Sequence, residues 1–163
     1  MPTRSYDRIK NFSTQIAVEK TIGEIEKMLS KHGATDILKQ YDDKGRPRSL
    51  AFRINTASGS MPICLPVRIE NVQNVFAFQA HEKKLQKKYW KGEWAEEQAF
   101  RTGWRTIKDW LDAQLSLIQI EMVKIEEIFL PYVNVGPDRT LFQALEEQGF
   151  ENLKMLGDGK KDG

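Results

Sequence analysis

Apolar residues recur at helical spacing near the start of the chain. Four of them, separated by four, three and four residues, form one stripe: Val18, Ile22, Ile25 and Leu29. The stripe predicts a first helix over about residues 14–31, and Gly33 follows it as a stop signal. Gly23 costs this helix up to about 1 kcal/mol relative to alanine. We expect it to allow a close approach by a neighbouring sheet.

Apolar and polar residues then alternate with the period of a strand. The alternation predicts strands over about residues 35–41, 48–55 and 61–67. The segment Asp42-Asp43-Lys44-Gly45 is typical of a hairpin turn, with glycine where a positive φ is required. Pro62 and Pro66 lack an amide hydrogen, so we expect the third strand at a sheet edge or interrupted.

Helical spacing returns in the second half of the chain. It predicts a second helix over about residues 70–88, a long third helix over 94–121, and a short helix over 141–148 capped by Thr140 and ended by Gly149. The third helix is apolar over a broad surface, which favours contacts on more than one side, in the core or in an oligomer. The order α-β-β-β-α-α-α predicts an α+β fold, with a three-stranded antiparallel sheet packed on helices.

The length and composition fit one globular domain. The chain has 163 residues, of which 40% are hydrophobic and 29% charged. We expect a flexible basic arm at residues 1–12, a single domain at 13–156 and a flexible tail at 157–163. The chain has no apolar run of about 18 residues, which excludes a membrane-spanning helix. We therefore expect no membrane partner. Its first residues do not resemble a secretory signal, so we expect a cytoplasmic protein.

The residue types that carry most enzyme chemistry are sparse. The single cysteine, Cys64, excludes an internal disulfide framework and a cysteine-rich zinc site, and we expect it to act as a small buried apolar residue. His32 and His81 lack metal-ligand spacing, and no phosphate-binding loop is present. Asp42-Asp43 fits a turn better than a metal pair. The sequence therefore predicts no cofactor and no metal, and it offers no positive argument for an enzyme.

Charge is distributed unevenly along the chain. The formal net charge of +2 combines +8 over residues 1–91 with −6 over residues 92–163. Such a division favours a basic face and permits head-to-tail self-association between unlike faces, so a homo-oligomer is possible. The alternative is a solvated surface whose charges happen to cluster.

The densest chemical feature is a run of lysines beside two aromatic rings, called the lysine segment below. It comprises Lys83, Lys84, Lys87, Lys88, Tyr89, Trp90 and Lys91. On one helix these lysines would share a side and repel one another, which an anionic partner would offset. Phosphates would bind the lysines, and the rings would stack on unpaired bases. The alternative is a solvated helix end whose rings pack on the core.

A second basic group surrounds the first hairpin. Arg46 and Arg48 flank a proline near its tip, and Arg53 lies on the strand face opposite the apolar residues. A sheet with one packed face and one basic face is a common nucleic-acid platform. Solubilising charge on an exposed strand is the alternative.

One long segment resembles proteins of a known group. It consists of Gly103-Trp104-Arg105-Thr106-Ile107-Lys108-Asp109-Trp110-Leu111-Asp112-Ala113-Gln114 followed by Phe129-Leu130-Pro131-Tyr132. It resembles a group of small bacteriophage and prophage proteins, with similarity over about residues 22–145. Separately, the β-β-β-α order with a basic hairpin is similar to the core of phage single-strand annealing proteins. These resemblances imply a phage-type protein in the cytoplasm of a host cell.

The leading hypothesis is a non-catalytic protein that binds single-stranded DNA during replication or recombination. Patterns typical of duplex readers are missing, and aromatic residues beside lysines suit unstacked bases. The alternative is a protein-interaction module or an inhibitor of a host factor, which the broad apolar surface of the third helix favours. A small nuclease is a third possibility.

Overall fold

A computed structural model describes residues 7–157. Its helices and strands, in chain order, are α1 Val18–Lys31, β1 Ala34–Tyr41, β2 Pro47–Thr56, β3 Gly59–Cys64, α2 Ile69–His81, α3 Glu93–Gln119, α4 Ile125–Phe129, β4 Asn134–Gly136, β5 Arg139–Thr140, α5 Leu141–Glu147 and α6 Glu151–Gly157. Two 3-10 turns lie at Lys87–Tyr89 and Leu130–Tyr132. The α+β prediction is confirmed. The predicted element order holds through α3, after which α4, the β4–β5 hairpin and α6 are additional elements.

The main sheet has the order β1-β2-β3 and is antiparallel throughout. Leu50, Phe52 and Ile54 on β2 are buried on the face that packs on the helices. As predicted, β3 lies at an edge of the three-stranded sheet, and it ends at Cys64, before Pro66. A single bridge between Ile63 and Val133 brings the β4–β5 hairpin beside that edge.

The core is built on α3, whose broad apolar surface is used within the chain. Trp104 is completely buried, and its indole Nε1 donates to the carbonyl oxygen of Pro47 at 2.9 Å. Leu111 and Leu115 are buried on the same helix. Because α3 packs on α1, α2 and the sheet, its breadth reflects a central position in the fold and is no argument for an external partner.

The close approach expected at Gly23 is wrong, and it occurs at another glycine. A Cβ added at Gly23 would meet no atom within 4 Å. A Cβ added at Gly103 on α3 would lie 2.8 Å from Cδ1 of Ile69 and 3.4 Å from Cγ2 of Val72, both on α2. Gly103 therefore sets the spacing between α2 and α3.

The second helix ends seven residues earlier than predicted. Lys83 adopts φ = +57°, the left-handed conformation that terminates a helix. The amide of Lys84 donates to Gln79 O at 2.9 Å, and that of Lys83 to Ala80 O at 3.1 Å, which is the Schellman arrangement. The reversal of the chain buries Leu85 in the core. Two effects favour this end of the helix. Burial of Leu85 stabilises the reversed chain, and a longer helix would place like-charged lysines side by side.

Residues 7–14 lie against α2 and α3. The carboxamide of Gln79 accepts from the amide of Ile9 at 3.2 Å and donates to Asp7 O at 2.9 Å. The hydroxyl of Thr102 donates to Asn11 O at 2.9 Å. These contacts cover the described part of the expected arm. Residues 1–6 and 158–163 lie outside the described residues, and the division into arm, domain and tail stays a prediction.

Candidate nucleic-acid interface

The structure distributes the lysine segment over a turn and a loop instead of one helical face. Lys83 is the helix-terminating residue, Lys87 and Lys88 lie in the 3-10 turn, and Lys91 precedes α3. These four side chains are exposed, whereas Lys84 is half-buried. The expectation that a single helix gathers the lysines is therefore wrong. The segment still presents several ammonium groups beside the start of α3.

Tyr89 and Trp90 occupy different environments. Tyr89 is 5% exposed, packs edge-on against Phe76 and Trp94, and donates from its hydroxyl to Phe12 O at 3.1 Å. Burial raises the pKa of this phenol, which keeps the donor protonated. Its ring is not accessible for base stacking, contrary to the sequence-based expectation. Trp90 is 46% exposed and contacts the His81 ring edge-on.

A small polar cavity lies between the lysine segment and α3. This Lys88 cavity has a volume of about 300 Å³ and is lined by Ser13, Gln15, Lys88, Tyr89, Trp94, Gln98 and Arg101. Two of its lining residues are cationic and none is acidic. The Lys88 ammonium lies 4.2 Å from the centroid of the Trp94 ring, a cation–π contact. Trp94 is 38% exposed. The cavity thus combines positive charge with a partly exposed tryptophan ring, one face of which is covered by the Lys88 ammonium.

Gln98 fixes the geometry of the cavity. Its carboxamide nitrogen donates to Phe12 O and Thr14 O, both at 2.9 Å, and its oxygen accepts from Nε of Arg101 at 2.7 Å. Because Nε of Arg101 is occupied, the two terminal nitrogens of the guanidinium are left to bind a ligand. Gln98 therefore holds residues 12–14 in place and orients Arg101 with a single side chain.

Arg46 belongs to the architecture of the hairpin. Its Nε donates to Asp42 at 2.8 Å, its Nη1 lies 3.4 Å from Glu96 on α3, and its guanidinium stacks 4.5 Å over the Phe100 ring. Lys44 also pairs with Glu96, at 3.2 Å. These bonds hold the hairpin tip against the start of α3. The charge of Arg46 is neutralised by Asp42 and Glu96.

The Asp42-Asp43-Lys44-Gly45 segment forms the predicted turn. Gly45 has φ = +74°, and the carboxylate of Asp42 accepts from the amides of Lys44 and Arg46. The bond from the Arg46 amide, followed by that from its side chain, lowers the pKa of Asp42. The bond from Lys44 lowers the pKa of Glu96. Among residues 7–157, no group of acidic, histidine or cysteine side chains has the arrangement of a metal site.

Arg48 and Arg53 do not join the lysine segment. Both side chains are exposed and make no hydrogen bond or ion pair with another described residue. Arg53 lines a groove of about 740 Å³ between the outer face of the main sheet and the segment from Tyr132 to Gln143. This open-sheet groove shares no lining residue with the Lys88 cavity. Within the described part of the chain, Arg53 and Lys88 therefore line two separate cavities.

Cys64 also lines the open-sheet groove and is half-buried, where full burial was expected. Burial, followed by the charge of Asp138, raises the pKa of its thiol. The thiol is therefore a weak nucleophile at neutral pH, because its thiolate fraction is small.

Three residues of the Lys88 cavity, all on α3, were not predicted from the sequence. Trp94, Gln98 and Arg101 are separated by four and three residues, so they share one face of α3. The sequence shows this spacing, but the same spacing is equally typical of a helix face buried in the core. Only the reversal of the chain at Lys83 brings Lys88 to the same place.

No protein-family model, curated protein or solved structure matches this chain. Within residues 7–157, no helix has both the length and the apolar character needed to cross a membrane.

Proposed function

We propose that this protein binds single-stranded DNA without catalysing a reaction, in the phage-type replication or recombination role that the sequence resemblance implies. The observation that carries the proposal is the Lys88 cavity, whose lining contains two cations and an exposed tryptophan but no acidic residue. A nucleotide offers the complementary groups, an anionic phosphate and a flat base.

Different cationic side chains bind different phosphates of the strand. One phosphate binds between the Lys88 ammonium and the free edge of the Arg101 guanidinium, where charge-assisted hydrogen bonds are strongest. Lys87 and Lys91, both exposed, contact phosphates on either side. Each neutralised phosphate releases counterions, so the affinity falls as salt rises.

The aromatic groups favour a single strand over a duplex. In the free protein the Lys88 ammonium covers the Trp94 face, and a bound phosphate draws it away and leaves the ring to a base. Trp90 offers a second exposed ring nearby in sequence. Stacking on a ring of this kind contributes about 1–3 kcal/mol per base, and it requires bases that are unpaired.

The proposal is tested by fluorescence anisotropy with a labelled oligonucleotide, single-stranded or duplex, at low and high salt. We expect the single strand to bind more tightly than the duplex and binding to weaken with salt. Binding that is absent at low salt, or indifferent to salt, would contradict the proposal.

Substitutions locate the site. Lys88→Ala, Arg101→Ala and Trp94→Ala should each weaken binding, by about tenfold for a loss of about 1.4 kcal/mol. Lys20→Ala removes one exposed lysine from α1 and is the matched control for charge. Equal losses for Lys20→Ala and Lys88→Ala would indicate non-specific attraction and reject the cavity as the site.

A further inference from the structure

Both cations of the Lys88 cavity are held by neutral groups. The Lys88 ammonium lies 4.2 Å from the centroid of the Trp94 ring and 5.9 Å from that of the Tyr89 ring. Arg101 donates to the side-chain oxygen of Gln98, which is 3% exposed. Neither cation makes an ion pair with another described residue. Two positive charges therefore share one small space without a carboxylate partner in the described part of the chain.

The cavity has room for one nucleotide. Its volume of about 300 Å³ lies at the lower end of the range of about 300–1,000 Å³ that small-molecule pockets span. Its lining comes from three segments, namely the stretch before α1, the 3-10 turn at Lys87–Tyr89 and α3. A space of this size, closed on three sides, holds one nucleotide unit and not several.

The lining also offers neutral hydrogen-bonding groups. Ser13 and Gln15 both line the cavity, and neither side chain forms a hydrogen bond with another described residue. A hydroxyl and a carboxamide can each donate and accept, so they suit the sugar and the polar edge of a base. Positive charge, an aromatic ring and neutral polar groups thus match the phosphate, the base and the sugar of a nucleotide.

The charge of the cavity distinguishes one kind of phosphate from another. An internal phosphate of a strand is a diester with one negative charge. A phosphate monoester carries about −1.5 to −2 at neutral pH, so it can pair with both cations. Contacts between ionised partners are shorter and stronger than contacts between neutral ones. A free nucleotide therefore gains more from this cavity than one nucleotide unit within a strand does.

We propose, on the basis of the function proposed above for the same cavity, that the Lys88 cavity also binds a free nucleoside 5′-monophosphate, which displaces the single strand. The phosphate lies between the Lys88 ammonium and the terminal nitrogens of the Arg101 guanidinium, and the base stacks on the Trp94 ring. The strand has further contacts to Lys87 and Lys91 that a single nucleotide lacks. Strand binding thus falls as the concentration of free nucleotide rises, which makes the cavity a regulatory site.

Direct binding is measured by isothermal titration calorimetry on the full chain, with deoxyadenosine 5′-monophosphate as the probe. Three further compounds separate its parts: deoxyadenosine lacks the phosphate, inorganic phosphate lacks the base, and the methyl ester of the monophosphate carries a single charge. We expect each of them to bind about tenfold more weakly than the monophosphate, because each lacks a charge-assisted contact or the stacked base.

Three lysine substitutions separate the nucleotide from the strand. Lys88→Ala should raise the dissociation constants of both by about tenfold. Lys91→Ala should weaken binding of the oligonucleotide alone, since Lys91 is exposed and lies outside the cavity lining. Lys20→Ala on α1 is the matched control for charge and should change neither constant. All three lysines are exposed, so these changes leave the core intact.

Competition is measured by fluorescence anisotropy, with the labelled single strand bound and the monophosphate added at constant ionic strength. The monophosphate should release the strand, and the same concentration of deoxyadenosine or of the methyl ester should release less of it. Ionic strength is held constant because any added salt weakens binding of the strand.

Three outcomes would overturn this inference. The monophosphate could bind no more tightly than inorganic phosphate or the methyl ester. It could bind without releasing the strand, or with the same affinity to the Lys88→Ala variant. None of these outcomes removes binding of the strand itself, so the proposed function would stand. A monophosphate that binds while the strand does not would reject the proposed function and support the nucleotide site.

Discussion

The buried polar side chains of the core mostly form hydrogen bonds to the backbone of one other segment of the chain. The described core contains four of them: Thr21, Gln79, Gln98 and Thr102. Gln79, Gln98 and Thr102 all hydrogen bond to the backbone of residues 7–14. That segment has no strand or helix to satisfy its carbonyl groups, so side chains from α2 and α3 do so. Thr21 is the exception, since its hydroxyl has no hydrogen-bond partner among the described residues.

The unsatisfied hydroxyl gives a prediction at the residue scale. Thr21→Val should raise the free energy of unfolding by about 1 kcal/mol, because a buried donor without a partner is replaced by a methyl group of similar size. Thr102→Val makes the same chemical change where the hydroxyl donates to Asn11 O, and it should lower the free energy by about 1 kcal/mol. Urea denaturation measures both. Equal effects in the two variants would contradict the assignment.

At the scale of elements, packing and turn geometry decide where helices approach and stop. The α2–α3 contact depends on the missing side chain at Gly103, and the end of α2 depends on the backbone reversal at Lys83. The hairpin between β1 and β2 is held by Asp42 within the turn and by Glu96 across to α3. In each case one or two residues fix where a helix ends or how two elements are placed relative to each other.

The two helical glycines form a matched pair for testing helix packing. Gly103→Ala should destabilise the protein by about 1–3 kcal/mol, since the new methyl group overlaps Ile69. Gly23→Ala meets no atom and should stabilise it by up to about 1 kcal/mol through the gain in helix propensity. Thermal unfolding of the two variants should therefore shift in opposite directions. A stable Gly103→Ala variant would mean that α2 and α3 can move apart freely.

The hairpin gives a prediction of pH dependence. The pKa values of Asp42 and Glu96 are lowered from their ordinary values of 3.8 and 4.5. The folded state thus binds fewer protons than the unfolded state, and stability rises with pH across this range. Their contribution is complete above the ordinary values and is lost as pH falls through the lower folded-state values.

Asparagine substitution in the turn isolates this effect. Asp42→Asn should reduce the fall in unfolding free energy on acidification, measured by urea denaturation at a series of pH values. Asp43→Asn is the control, because Asp43 is exposed and makes no hydrogen bond or ion pair with another described residue. An Asp43→Asn variant with the same altered pH dependence would assign the effect to general charge.

At the scale of the whole molecule, residues 7–14 connect the candidate site to the core. Ser13 and Gln15 line the Lys88 cavity, and the backbone between them is held by Gln98. The other end of the segment is held by Gln79 on α2. Placement of the cavity wall thus depends on contacts distributed over two helices.

Release of this segment is predicted for a substitution at α2. Gln79→Met keeps the volume of the buried side chain and removes both bonds, to Ile9 and Asp7. Trypsin should then cleave after Lys10 faster than in the parent, because local opening exposes the backbone. Gln73→Met, at a half-buried residue of the same helix, is the control and should leave the cleavage rate unchanged. Equal rates in all three proteins would show that Gln79 does not anchor the segment.

Much of the fold was predictable because it depends on local periodicity. Three features illustrate this: the apolar stripe of α1, the alternation along β2 and the acidic turn before Arg46. Each depends only on residues that are close together in the sequence. The predicted end of α2 was wrong because the residues after His81 remain acceptable in a helix. The expected role of Tyr89 was wrong because a ring beside lysines looks the same in sequence whether it is buried or exposed.

The sequence by itself determined the α+β architecture and the hairpin, since burial of periodic apolar faces leaves few other arrangements. It left open whether the broad apolar surface of α3 serves the core or an oligomer. Only the tertiary structure decided which charged groups are free. It neutralised Arg46 against Asp42 and Glu96, separated Arg53 from the lysines, and brought Lys88 to Trp94 and Arg101. The physical reason is that electrostatic contacts depend on distances between residues far apart in the chain, which the positions of charges along the sequence do not specify.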